Sequence, residues 1–148
     1  MNGCSTNQNP ADGYAPPGWP ENVRPPGATD WDRQAVAYLL DCCPADFRGY
    51  PVLRRHPMVL AAFARHSVAG QRRAATDGVS MARSDLEQRV DQRVIAEAVD
   101  AWQAELARLA RVERAVDLVS RALGGERFTP RLGEPAQRSR NISAWQPG

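Results

Sequence analysis

The sequence predicts an all-α fold: a short helix followed by a long antiparallel helical hairpin, with an extended Pro-rich N-terminal arm and an irregular C-terminal tail. Three observations lead there. Apolar side chains recur three and four positions apart from Pro57 to Leu123, the repeat of one helix face. Prolines crowd the first 26 residues, while Pro44 and Pro57 stand where helices should stop and start. A single helix from Pro57 to Leu123 would be roughly 100 Å long at about 1.5 Å per residue and would leave its apolar stripe in water. Folded back as a hairpin, its two arms cover each other.

Residues 1–28 form the arm. Met1 to Ala15 is rich in Asn, Gly, Pro and Asp and is expected to be disordered. Between Gly18 and Gly27 the prolines impose extended backbone, and Trp19 and Val23 offer apolar anchors for docking on the helices. The helical domain spans 29–132. Its first helix is predicted over 31–43, capped by Thr29 or Asp30 and stopped by Pro44, with Trp31, Ala35, Tyr38, Leu39 and Cys42 on one face. Ala45 to Tyr50 should turn with Phe47 and Tyr50 tucked inward, and Pro51 to Arg55 can make a short helical turn.

The first arm of the hairpin is predicted over 57–87, with Leu60, Ala64, Val68, Ala75, Val79, Ala82 and Leu86 on its stripe. Gly70 and Gly78 each weaken it by about 1 kcal/mol against alanine. Gly78 lies on the stripe, so it either admits a close partner or breaks the helix; an unbroken helix is the expectation. The reversal is placed near Gln88 to Asp91, with Asp91 capping a final helix over 91–123. There Ile95, Val99, Trp102, Leu106, Leu109, Val116 and Leu123 form the stripe, and Gly124-Gly125 ends it. Phe128 and Leu132 can dock as a short extended segment, and 133–148, including Trp145, reads as a flexible tail.

Net charge is +2, too small to imply a polyanionic partner. All 19 basic residues are arginine, a composition that a GC-rich genome explains. Three cysteines, two of them adjacent, do not form a disulfide framework. No leader precedes Cys4 and no apolar run spans a bilayer, so the expected location is the cytoplasm and no membrane is expected as a partner.

Trp31, Ala35, Val36, Leu39-Leu40-Asp41, Pro44, Phe47-Arg48, Tyr50 and Val52-Leu53-Arg54-Arg55-His56-Pro57 resemble an uncharacterised family of small helical actinobacterial proteins. That family also has a Pro-rich, Trp-bearing arm and a segment like Glu126-Arg127-Phe128-Thr129-Pro130-Arg131. The resemblance covers about Pro17 to Leu132. It implies a self-contained helical fold in the cytoplasm and transfers no active residue.

The chemistry-bearing residues are sparse. Cys42 and Cys43 point about 100° apart on a helix and cannot easily grip one metal. His56 and His66 match no zinc spacing. His56 lacks the partners of a catalytic base and suits a helix cap. Glu97 with Asp100, and Glu113 with Asp117, read as a solvated face. No cofactor, metal or catalytic residue is expected.

The arginines carry more information. From Arg48 to Arg83 seven face one acid, whereas from Ser84 to Leu123 eight acids outnumber six arginines. Arg65, Arg72 and Arg83 share one flank, available to phosphates, to an acidic protein surface or to acids of the final helix. The expected function is therefore a non-catalytic protein–protein interaction module, bound to another protein or to itself as a homodimer. Its candidate surface is Arg54, Arg55, His56, Arg65, Arg72 and Arg83. The alternative is a nucleic-acid-associated protein using the same arginines.

Overall fold

The computed structural model describes residues 13–131. The stretch before Gly13, with Cys4, and the segment from Leu132 onward, with Trp145, lie outside the described residues. Four α-helices follow in order: α1 (Trp31–Asp41), α2 (Pro51–Arg55), α3 (Pro57–Leu86) and α4 (Gln92–Leu123), with a 3₁₀ turn, Ala45–Gly49, between α1 and α2. Among the described residues there is no strand. No helix of the described chain is long and apolar enough to cross a membrane.

α3 and α4 are the antiparallel hairpin. At about 1.5 Å per residue they are roughly 45 and 48 Å long. Leu60, Ala61, Ala64, Val68, Ala75 and Ala82 bury one face of α3. Ile95, Leu109, Val116 and Val119 meet them from α4. The chain reverses through 87–91, where the amides of Arg89 and Val90 both donate to the Leu86 carbonyl. Asp91 then caps α4, its carboxylate accepting from the Val94 amide at 3.0 Å. At the other end the amides of Gly125 and Glu126 return to the carbonyls of Ala122 and Arg121. This is a Schellman closure, with Gly125 at φ +96° where a side chain would be strained.

α1 lies across the base of this hairpin. Ala35 and Leu39 are fully buried there with Leu53 of α2. α1 ends at Asp41, two residues sooner than expected. Pro44 disfavours helical geometry at the residue before it, and the last turn tightens as Cys43 donates to the Leu40 carbonyl. The start of α1 also differs from expectation. Asp30 sits at φ 60° and its side chain makes no cap. The Gln34 side chain instead accepts from the Arg24 amide at 2.7 Å, tying the arm to the helix.

The arm is part of the core. Trp19 is 8% exposed and Val23 3%. The Trp19 indole donates to the Val23 carbonyl at 2.9 Å, and its ring lies 6.3 Å from both Trp31 and Phe128. Gly18, at φ +91°, brings the backbone against Arg114 and Leu118 of α4, where a side chain would collide. Ala15, expected to be disordered, packs against the same cluster. Tyr50, expected inward, is exposed and only leans on Phe47.

Candidate interaction surface

The arginines of the expected surface do not form one patch. Arg72 reaches across the hairpin and hydrogen-bonds Glu113 of α4. Its charge is spent within the fold, the third of the three uses expected for that flank. Arg65 and Arg83, in line with it, are exposed. Arg54 lines a groove of about 540 Å³ between α1 and the ends of α3 and α4, floored by Val36, Leu40 and Leu123 and edged by Arg33 and Arg48. Arg48 is paired with Asp41. Arg55 and His56 are exposed, and His56 caps α3 only through its carbonyl, which accepts from Val59 and Leu60. Arg54, Arg55, Arg65 and Arg83 make no ion pair with another described residue.

The cysteines sit at the end of α1. Burial pushes the Cys42 and Cys43 thiols up from their ordinary range, and burial likewise raises the Tyr38 hydroxyl beside Cys42. Raised in this way, each thiol yields less thiolate than a free cysteine would. Among the described residues no three His, Cys, Asp or Glu side chains gather as metal ligands.

A different surface emerges at the hairpin tip. The amide side chain of Gln71 meets the Cys42 carbonyl at 3.5 Å, and this marks how far α1 reaches along α3. Beyond it, among the described residues, the hairpin is two helices alone. On this outer half Met81 is 51% exposed, Val94 42% and Trp102 38%, with Val90 at the turn also in water. Two of them continue lines from the base, where Phe63 is 39% exposed and Val112 is half-buried. Met81 stands eighteen positions after Phe63, and Val94 eighteen before Val112. Eighteen residues at about 100° each are five whole turns, so each pair shares a line. Phe63 packs edge-on against Phe47 at 5.7 Å, and Val112 packs on the core. Met81 and Val94 lack that cover because α1 and the 3₁₀ turn stop short of them.

Trp102 organises this face. The sequence places it on the inner stripe, but its indole lies flat over Gly78. A β-carbon at position 78 would fall 2.6 Å from the Trp102 Nε1 and closer still to the ring carbons. α3 is unbroken there, so Gly78 is a seat for the indole, whose outer face remains in water. Around the seat, Ala74, Ala98 and Ala101 are small. Exposed charges divide the molecule lengthwise. Residues 73–107 carry seven acids and four arginines, a formal −3, while the rest of the described chain carries thirteen arginines and eight acids, +5.

No family model matches the chain, and neither a curated protein nor a solved structure shows significant similarity to it.

Proposed function

We propose that the chain is a non-catalytic protein-binding module whose binding surface is the uncovered face of the hairpin tip, centred on Trp102, Met81 and Val94. The observation that carries this reading is that Met81, Val94 and Trp102 are exposed on the part of the hairpin beyond the end of α1, where no other described helix lies. Large apolar side chains clustered in water mark interaction surfaces more often than scattered ones do. Trp supplies broad contact area at small entropic cost, and Met adapts to varied shapes. The arginines of the base serve the reading less well, since Arg72 is already paired and the others are spread over α2, α3 and the groove.

A photoreactive amino acid placed singly at Met81, Val94, Arg55 or Arg65 tests this in the native cell. Covalent adducts are expected from positions 81 and 94 and not from 55 and 65. Adducts from 55 and 65 alone would move the binding surface to the basic base and overturn the reading.

A further inference from the structure

Resting on that reading, we infer that the tip face receives a basic amphipathic helix of another protein, whose apolar stripe lies on Met81 and Val94 and whose Lys or Arg side chains meet Asp77, Asp85 and the open face of the Trp102 indole. The fold shows that a helix fits this side of the hairpin. At the base the end of α1 rests on it: Ser67 of α3 hydrogen-bonds the Cys43 side chain, and Gln71 meets the Cys42 carbonyl. Asp85 stands eighteen residues after Ser67, and Gly78 seven after Gln71. At about 100° per residue these are whole turns to within about 20°, so the side of α3 that receives α1 continues to the tip as Gly78 and Asp85. Arg108 of α4 is close enough to Cys42 for its charge to act on the thiol, and Glu97, eleven residues earlier, lies within about 20° of the same line. The tip thus offers a continuation of the two-helix side on which a third helix already packs at the base.

Charge names the chemistry of the incoming helix. Asp77 and Asp85 stand four residues to either side of Met81, about 40° off its line on each flank and roughly 12 Å apart along the axis. Both are exposed, and neither makes an ion pair with another described residue. On α4 the acids nearest the Val94 line, Glu97 and Glu105, are already met by Arg93 and Arg108. Arg72 is held by Glu113. Of the other arginines beyond Gln71 on α3, Arg83 points about 160° away from Met81 and Arg73 about 80°. The free charge beside Met81 is therefore negative. The outer face of the Trp102 indole, left in water, adds a second attraction for cations, since an aromatic face draws an ammonium or guanidinium group. Carboxylates and an open indole around Met81 suit Lys or Arg set beside an apolar stripe, and repel an acidic helix.

The face runs from about residue 74 to residue 86, roughly 20 Å, which a helix of about 14 residues spans. On such a helix two basic residues about eight positions apart reach both aspartates. Exposed carboxylates are screened by salt, so the contact weakens as ionic strength rises.

The probe is a fluorescein-labelled peptide of about 14 residues, leucine and lysine in a helical repeat, with a counterpart carrying glutamate at every lysine position. Fluorescence anisotropy follows each peptide as the full chain is added to about 500 µM, at about 50 and about 500 mM sodium chloride. The lysine peptide is expected to bind at least about tenfold tighter than the glutamate peptide, and less tightly at the higher salt. Asp77→Asn combined with Asp85→Asn, and separately Met81→Ser, are each expected to weaken it about fivefold or more, with circular dichroism showing unchanged helix content. Arg54→Gln at the base is expected to leave it unchanged. The substituted tip positions face water, and should one variant unfold the chain the other still decides. A lysine peptide that does not bind, or binds no better than the glutamate peptide, overturns the inference, as does binding indifferent to the aspartates or to Met81. If positions 81 and 94 nonetheless give adducts in the cell, the tip face stands as a binding surface for a partner of other chemistry; adducts from 55 and 65 alone would instead remove the reading on which the inference rests.

Discussion

Replacing Trp19 by Ala is expected to cost about 3–5 kcal/mol of stability, the range for removing a buried large aromatic ring. The residue lies in a Pro-rich segment outside every helix, yet its ring is held by Trp31 and Phe128 and its indole nitrogen by the Val23 carbonyl. Truncation would open a cavity between the arm, the start of α1 and the segment after α4. The melting temperature should fall by more than about 10 °C, at roughly 4 °C per kcal/mol for a domain of this size. Trypsin should then cut after Arg127, beside the Phe128 that Trp19 holds, in conditions where the wild type resists. A change below about 1 kcal/mol would mean that the arm merely rests on the helices.

The two glycines inside α3 should respond with opposite signs. Gly70→Ala meets open space and is expected to stabilise by about 0.5–1 kcal/mol, the ordinary gain of alanine over glycine in a helix. Gly78→Ala places its methyl in the Trp102 indole. Displacing that ring is expected to cost about 1–3 kcal/mol, which outweighs the helical gain. Denaturant titration of both variants checks the pair. Equal stabilisation would show that the indole moves aside freely and that Gly78 is not a seat.

The helices were legible because burial imposes their period. Leu60, Ala64, Val68 and Ala82 on α3, and Ile95, Leu109 and Val116 on α4, are where three-and-four spacing predicts an inner face. The fold class follows from that. Cap chemistry was legible at Asp91, where the side chain does bond the Val94 amide, and misleading at Asp30, where the backbone turns left-handed and the carboxylate is turned away. Local sequence names the residues able to cap. It does not say whether the preceding chain will approach at the needed angle.

The candidate surface was less legible. Charge counting gathered Arg65, Arg72 and Arg83 into a basic flank, but whether an arginine faces water or an acid depends on how the two arms align. Arg72 and Glu113 are 41 positions apart, and only the hairpin register joins them. The tip face was hidden for a related reason. Trp102 read as core from periodicity, and Val94 fell outside the stripe, because periodicity cannot tell how far α1 extends along the hairpin. The available signal was length. α1 has 11 residues and the hairpin arms have 30 and 32, so one short helix could never cover both.

The central claim is that α1 and the arm pack on the hairpin at its base while no other described helix packs on its tip, and that the uncovered tip is where the protein binds. Amide hydrogen exchange on the full chain in dilute solution tests the packing difference most directly. Local opening is easiest where few apolar contacts hold a helix. In dilute solution the amides of 78–86 and 92–102 should therefore exchange faster than those of 60–69 and 109–119. Protection equal along the hairpin, or weaker at 60–69 and 109–119, would contradict the account.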